Sequence, residues 1–346
     1  MVHSIFKINP IEGDFIRDIH GIYYDVKGFE HPPDRIIAYP RYIPDKSGDR
    51  LKDGIRYRKI YDLKDRYRYI SKVLKEYLVF DNVFGRLVPE IPLKHIVEYV
   101  KPVRRLALFR KCYSSLIEPL RSAVDLAKLI VSESKILWDS IGLTGSLSIG
   151  LFNESSDIDL IIYGSSNTLR VLKALSRLFS EGILSRYDEN QLHRLYRFRK
   201  AYYNLSFNEF KTLESRKIDE GLYKGRDFYI RFVKSSNELH KYGEYRYRYV
   251  CRALIRGLVI DDSEAPFTPC RYIVRLEVLK CADDSIKAGI DMLELTSFRG
   301  RYSNLLVRND YIEALGRLEA VYRNDDLTGY RLVVGEDYMD YVKIID

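Results

Sequence analysis

The chain has 346 residues and a formal net charge of +8 at pH 7, and 46% of its residues are hydrophobic. This length allows about two or three domains with cores of their own. The four cysteines have neither a paired spacing nor a Cys-His metal pattern, so the sequence predicts no zinc site and no disulfide framework. There is no run of about 18 apolar residues. We therefore expect a cytoplasmic protein without a membrane span.

The residue usage is typical of a thermophile. Gln191 is the only glutamine, whereas Arg, Lys, Glu, Tyr and Ile are abundant. Thermolabile amides are scarce in such proteins, and ion pairs contribute more to their stability at high temperature. This composition therefore indicates an organism that grows at high temperature.

Residues 1–62 are predicted to form a β-rich N-terminal unit, because apolar and tyrosine-rich runs alternate with turn residues. The expected strands cover residues 21–26, 35–40 and 55–61. Apolar residues recur with a helical period over residues 65–78 and 93–99, so residues 63–112 are predicted as a helical connector. A longer amphipathic helix is expected between residues 115 and 140.

Residues 143–164, LTGSLSIGLFNESSDIDLIIYG, carry the pattern around which the chain is organised. The part from Asp157 onward is apolar and β-branched, which predicts a strand. Side chains alternate along a strand, so Asp157 and Asp159 project from the same face. Two adjacent carboxylates repel each other unless a cation lies between them. Ahead of the strand, Gly145 and Ser146 open a turn whose amides and hydroxyl suit a phosphate.

The Gly-Ser pair, followed after ten residues by Asp-Ile-Asp in an apolar strand, resembles the signature of the nucleotidyltransferase superfamily that includes DNA polymerase β. The match includes Ser155 and Ser156 before the first aspartate. Residues 31–39, HPPDRIIAY, resemble an archaeal family of predicted nucleotidyltransferases. The resemblance implies an α+β fold, in which a polymerase β-like domain of mixed sheet and helices over residues 113–250 is flanked by β-rich units. It also implies an NTP donor and a divalent cofactor, Mg²⁺ or Mn²⁺.

The resemblance assigns roles to individual residues. The implied metal ligands are Asp157 and Asp159, and the implied triphosphate contacts are Gly145, Ser146 and Ser156. Some relatives place an arginine in the turn after the Gly-Ser pair, but this chain has Leu-Ser-Ile at 147–149. Triphosphate binding would then need another base, for which Arg226 and Arg231 are candidates.

A third carboxylate is expected to complete the metal site and to accept the proton of the attacking hydroxyl. The best downstream strand begins at Asp227, which shares a face with Tyr229. If this strand lies beside the Asp157 strand, Asp227 reaches the same metals, although the polymerase-like pattern places the acid where Tyr229 stands. The poorer candidates, in helix-like or turn-like sequence, are Asp188, Glu189, Asp219 and Glu220. Alternatively, Asp227 is a surface residue paired with Arg226 or Arg231.

Residues 186–252 hold 16 Lys/Arg and 9 Asp/Glu, so +7 of the net charge of +8 lies in this segment. Tyrosines run through it. Positive charge interleaved with aromatic rings suits a nucleic acid whose bases can stack. The alternative is a solvated thermophile surface with cation–π pairs.

Residues 251–346 are predicted as a C-terminal β-rich unit with a helix-like piece over 310–318. An internal repeat links this unit to the N-terminal one. The aligned segments are 21–25 with 257–261 and 33–37 with 269–273. The repeat suggests a duplicated three-stranded unit that packs as one pseudo-symmetric barrel. The alternative is chance similarity between two Tyr/Ile-rich segments.

These features predict a Mg²⁺-dependent nucleotidyltransferase that moves an NMP group from an NTP to an acceptor hydroxyl and releases pyrophosphate. RNA is the expected acceptor because of the basic, tyrosine-rich segment, and the next choice is a protein that becomes AMPylated or a small hydroxylated acceptor. The alternative from another class is a non-catalytic nucleotide or nucleic-acid binding protein on the same fold.

Overall fold

The structure is a computed structural model that describes residues 8–281 and 289–345. The described residues form two compact units. The first unit contains residues 8–81, 86–175 and 223–242, and the second contains 82–85, 176–222, 243–281 and 289–345. No helix within the described ranges is long and apolar enough to cross a bilayer. The sequence-based division at residues 62, 112 and 250 stays a prediction.

A sheet of eight strands forms the N-terminal part of the first unit. Its elements are β1 (Phe15–Asp18), β2 (Tyr23–Val26), β3 (Arg35–Pro44), β4 (Arg50–Lys52), β5 (Ile55–Lys59), α1 (Leu63–Val73), β6 (Leu78–Asp81), β7 (Arg86–Pro92) and β8 (Ile96–Val100). The main path of the sheet runs β4-β5-β3-β2-β1-β8, and β7 pairs with β3 and β6. The expected β-rich N-terminal flank is confirmed.

Residues 93–99 do not form the predicted helix. Leu93–His95 make a short 3₁₀ turn, and β8 follows directly. This strand pairs antiparallel with β1, so that Phe15 lies opposite Val100. β8 is rich in β-branched residues and gains a neighbouring strand, and this tertiary pairing overrides a weak helical period. Residues 63–112 therefore supply three strands to the sheet as well as helices.

His31 lies in this sheet region and has both ring nitrogens hydrogen-bonded. The Ile37 N–H donates to Nδ1 at 3.2 Å, and Nε2–H donates to the carbonyl oxygen of Pro10 at 2.9 Å. Only the neutral ring can accept the bond from Ile37. Burial lowers the pKa of His31 to about 4, because the charged ring would lose its hydration.

We expect His31 alone to lower the free energy of unfolding by about 2 kcal/mol between pH 7 and pH 5. The unfolded ring, with a pKa of 6.5, gains a proton over this range, whereas the folded ring, with a pKa of about 4, does not. Acid therefore favours the unfolded state. Denaturant unfolding of His31→Asn, whose amide oxygen can still accept the Ile37 N–H, should show a correspondingly weaker pH dependence. An equal dependence in the variant and the wild type would contradict this account.

The next segment contributes helices and short strands to both units. Its elements are α2 (Pro102–Lys111), α3 (Leu120–Ser134), β9 (Ile141–Leu143), α4 (Gly145–Ile149), β10 (Ile158–Tyr163), α5 (Ser165–Ser180), β11 (Leu184–Ser185), α6 (Glu189–Phe198), α7 (Phe207–Glu214), β12 (Glu220–Tyr223) and β13 (Arg226–Val233). In the first unit, β10 is parallel to β13 and antiparallel to β9. The predicted helix between 115 and 140 is shorter than expected, because Lys135 takes a left-handed conformation and ends α3.

The C-terminal part of the second unit is a sheet of six strands. They are β14 (Tyr245–Asp261), β15 (Cys270–Cys281), β16 (Met292–Ser297), β17 (Tyr311–Arg323), β18 (Asp326–Val333) and β19 (Tyr341–Ile344). The strands pair in the order β14-β15-β16-β18-β17, and β17 also pairs with β14, so this sheet closes on its own strands. The β-rich C-terminal flank is confirmed. The helix predicted over 310–318 is wrong, because β17 has a pairing partner on each side.

The prediction of no disulfide framework, which was made from the cysteine spacing, is also wrong. Cys251 and Cys281 form a disulfide with Cα atoms 6.3 Å apart. They lie on the paired strands β14 and β15, where Ala253 faces Cys281. A sequence separation of 30 residues carries no recognisable signature, and only the strand register brings these side chains together.

The two repeated segments form similar strand arrangements in separate units. β2, β3 and β5 are consecutive antiparallel neighbours, and so are β14, β15 and β16. Their registers differ by two residues, since Asp25 faces Tyr39, whereas its counterpart Asp261 faces Ile273, the counterpart of Ile37. Duplication, and a barrel built from both copies, stay predictions.

Candidate active site

The paired aspartates lie at the start of β10. Asp157 directly precedes the strand and is exposed, and Asp159 is its second residue and is partly buried. From Leu160 to Ile162 every side chain is fully buried, so the rest of the strand belongs to the core. The predicted strand is therefore present, with both carboxylates at the end where it emerges from the core.

The strand predicted to carry the third carboxylate lies beside β10. Ile158 faces Phe228 and Asp159 faces Tyr229 in a parallel register, so Asp227 is the next residue toward the Asp157 end. No three His, Cys, Asp or Glu side chains in the described ranges are gathered closely enough to hold a metal ion by themselves. Asp227 thus lies at the same sheet edge as the pair, and its role as a metal ligand stays a prediction.

The Gly-Ser turn packs directly on Asp159. Gly145 opens α4 with a φ of +66°, and a Cβ added there would overlap the Asp159 carboxylate, lying 2.8 Å from its Cγ. The Thr144 N–H donates to the Asp159 carbonyl oxygen at 2.9 Å, and Thr144 Oγ1 donates to the Gly13 carbonyl oxygen at 2.5 Å. Ser146 follows, with its side chain buried. Only glycine fits between this backbone and the carboxylate.

Ser156 holds the loop that precedes the aspartates. Its Oγ donates to Asn153 Oδ1 at 3.1 Å and accepts from the Asn153 N–H at 3.0 Å. Arg50 Nη1 donates to the same Oγ at 3.2 Å. Arg226 Nη1 donates to the carbonyl oxygens of Glu154 and Ser156 at 2.6 and 2.9 Å. Arg226, considered above as a phosphate contact, therefore fixes the shape of this loop.

Three cations act on the partly buried carboxylate of Asp159. Burial raises the pKa of Asp159, and the charges of Lys59, Arg231 and Arg41 oppose that rise. Burial and the neighbouring Arg41 lower the pKa of Lys59 to about 8, while Asp159 and Asp157 act in the opposite direction. The site therefore combines negative charge from β10 with positive charge from the N-terminal sheet.

Arg231, predicted as a triphosphate contact, is paired with a carboxylate. Its guanidinium forms an ion pair with the buried Glu12 and lies 5.7 Å from the centre of the Tyr229 ring. Coulombic attraction to Glu12, Tyr229, Asp25 and Asp159 raises its pKa against the effect of burial. Arg231 thus neutralises carboxylates at the base of the site, and its contact with a triphosphate stays a prediction.

The sequence did not single out three basic residues of the site: Arg41 on β3, Arg50 on β4 and Lys59 on β5. One signal was available. In β5, Ile55, Tyr57 and Lys59 occupy one face by alternation, and a lysine is unexpected after an isoleucine and a tyrosine.

The basic segment 186–252 does not form a uniform positive surface. Several of its arginines lie in ion pairs within one unit. These pairs are Arg199 with Glu214 at 2.6 Å and Glu220 at 2.8 Å, Arg246 with Asp325 at 2.6 Å, and Arg252 with Asp340 at 2.7 Å. Charges paired in this way are less available to a polyanion, so an RNA partner stays a prediction.

Comparison with known proteins supports the superfamily resemblance. Residues 126–225 match the family model described as a nucleotidyltransferase domain. This range includes Gly145 and both motif aspartates and ends just before β13. The chain therefore carries a nucleotidyltransferase domain, consistent with membership of the superfamily that its motif predicted.

A relative of nearly the same length is the uncharacterized protein MJ1086 of Methanocaldococcus jannaschii. The two sequences are 29% identical over 346 residues, which cover 96% of this chain and 98% of that protein. The similarity thus extends well beyond the nucleotidyltransferase domain, into both β-rich flanks. No solved structure shows significant similarity to the chain.

Proposed function

We propose that this protein is a metal-dependent nucleotidyltransferase that transfers an NMP group from an NTP to an acceptor hydroxyl. One observation carries the proposal: Asp157 and Asp159 lie at one end of β10, against a Gly-Ser turn, within the matched nucleotidyltransferase domain. In the reaction, a bond forms between the acceptor oxygen and the α-phosphorus. The bond from the α-phosphorus to the bridging oxygen breaks, and pyrophosphate leaves.

The donor atoms present fit a hard divalent cation. Mg²⁺ is usually held by about one or two carboxylates together with substrate phosphates, not by a cage of protein ligands alone. Asp157 and Asp159 would supply these carboxylates, with Asp227 at the same sheet edge. When bound, Mg²⁺ or Mn²⁺ would neutralise phosphate charge and lower the pKa of the acceptor hydroxyl.

The protein's own groups would bind and orient the substrates, and one of them would take up the proton of the acceptor hydroxyl. Gly145 permits close backbone approach at the carboxylates, and Ser146 and Ser156 lie on the two segments that flank them. Asp227 would accept the proton of the acceptor hydroxyl as the new bond forms. Arg231, already paired with Glu12, would keep Asp159 ionised.

RNA is the acceptor we favour, because residues 186–252 combine positive charge with tyrosines on which bases can stack. Protein AMPylation is the second choice. A non-catalytic nucleotide-binding protein is the competing function. It is favoured by the absence, within the described ranges, of a three-carboxylate cluster.

The test is a transfer assay with each α-labelled NTP, Mg²⁺ or Mn²⁺, and total cellular RNA or protein. We expect label in one macromolecular fraction together with pyrophosphate release, and neither without the metal. Label in RNA would support the favoured acceptor, and label in protein would replace it with AMPylation. Metal-dependent NTP binding without pyrophosphate release would favour the non-catalytic alternative.

A further inference from the structure

One face of the N-terminal sheet carries a row of aromatic and basic side chains. Arg50 on β4 faces Tyr57 on β5, and Lys59 on β5 faces Tyr42 on β3. Opposite residues in antiparallel strands point to the same face, and so do residues two apart in one strand. Arg50, Tyr57, Lys59 and Tyr42 therefore share one face of the sheet.

This face packs on the segment that begins with the Gly-Ser turn. Tyr23, Tyr42 and Tyr57 lie in one buried apolar cluster with Ile149 and Leu151. Ile149 is the last residue of α4, which begins at Gly145, and Leu151 follows two residues later. The face that carries Arg50 and Lys59 is thus the face turned toward the candidate active site.

Three cations of this sheet gather near the motif. Arg50 contacts the loop that precedes the aspartates through its hydrogen bond to Ser156. Lys59 Nζ lies 4.8 Å and the Arg41 guanidinium 5.3 Å from the centre of the same Tyr61 ring. Neither Lys59 nor Arg41 has a carboxylate within ion-pair distance among the residues that the structure describes. Arg41 instead donates to the carbonyl oxygen of Ile60 at 2.9 Å.

We propose that Lys59, Arg41 and Arg50 bind the triphosphate chain of the donor nucleotide. This inference rests on the proposed function, and it supplies the triphosphate-binding cations that the motif itself lacks. The Gly-Ser turn continues as Leu-Ser-Ile and supplies no arginine. A polyanion drawn to a site with two carboxylates needs compensating positive charge, and charged donors to phosphate oxygens are among the stronger hydrogen bonds. The N-terminal sheet supplies that charge from outside the matched domain.

The test compares Lys59→Met with Arg56→Met in binding titrations at constant Mg²⁺. Methionine keeps an apolar stem beside Tyr42 and Tyr61, and Arg56 is an exposed cation on the opposite face of the same strand. Calorimetry would measure the affinity for inorganic tripolyphosphate, ATP and AMP. We expect Lys59→Met to weaken tripolyphosphate and ATP binding by about 10- to 100-fold. AMP binding by this variant, and all binding by Arg56→Met, should change by less than about twofold.

The inference would be overturned if Lys59→Met bound tripolyphosphate as tightly as the wild type does. It would also be overturned if the variant lost affinity for AMP and ATP equally. Failure of the wild type to bind tripolyphosphate would also overturn it. Should Lys59→Met not fold, Lys59→Arg and Arg41→Met provide the comparison, with affinity retained in the first and lost in the second. Lys59-dependent tripolyphosphate binding without nucleotidyl transfer would refute the proposed function alone. Transfer that needs Asp157 but not Lys59 would refute only this inference.

Discussion

Replacing Asp157 by asparagine is expected to reduce nucleotidyl transfer by at least about 1000-fold, since the neutral amide is a much weaker ligand for a hard divalent cation. The free energy of unfolding should change by less than about 1 kcal/mol, because Asp157 is exposed and precedes β10. Initial rates of pyrophosphate release at saturating NTP and Mg²⁺ would measure the first effect. Denaturant unfolding would measure the second.

The matched control is Glu154→Gln, which removes an exposed carboxylate from the loop before β10. Its rate should stay within about twofold of the wild type, because the Glu154 side chain is exposed and its charge is screened by solvent and salt. Near-wild-type turnover by Asp157→Asn would refute the assignment of the motif. A comparable loss in both variants would show that the effect is one of general charge rather than of metal binding.

Gly145→Ala is expected to damage both the fold and the site. The new Cβ would overlap the Asp159 carboxylate, and the residue would keep a φ of +66°. The left-handed backbone and the overlap together should cost about 3 kcal/mol of unfolding free energy. Because the carboxylate must shift, transfer should fall by at least about 100-fold. Thermal or denaturant unfolding, together with the transfer assay, would measure both effects.

Gly150→Ala separates the two causes. Gly150 ends α4 with a φ of +74°, but an added Cβ there would meet nothing closer than Lys52 Cδ at 3.8 Å. This variant should lose only about 1 kcal/mol and keep its activity. Identical behaviour of the two variants would mean that backbone strain alone matters and that the contact of Gly145 with Asp159 has no special role.

The sequence was most informative where local pattern and chemistry coincide. The strand after Asp157 follows from its apolar, β-branched residues, and the strand after Asp227 follows from its alternation of apolar and polar residues; both are present as β10 and β13. Their adjacency was stated only as the condition under which Asp227 reaches the metals, and the parallel pairing of β10 with β13 meets that condition. The glycine of the motif also has a clear physical reason, namely its contact with Asp159.

What the sequence could not provide depends on contacts distant in the chain. β8 and β17 contain residues that local periodicity assigned to helices, and each becomes a strand because other strands pair with it. The disulfide between Cys251 and Cys281 likewise follows from strand register. Lys59 and Arg50 come near Ser156 and the aspartates only because the N-terminal sheet turns one face toward α4.

The bond from Thr144 to the Gly13 carbonyl has a practical consequence for anyone who isolates the catalytic part of this chain. The family match begins at residue 126, more than a hundred residues after that carbonyl. A fragment trimmed to residues 126–225 would lack the N-terminal sheet that carries Tyr42 and Lys59. It would therefore expose Ile149 and Leu151 to water. An expression fragment that keeps the candidate active site intact therefore has to include the N-terminal sheet.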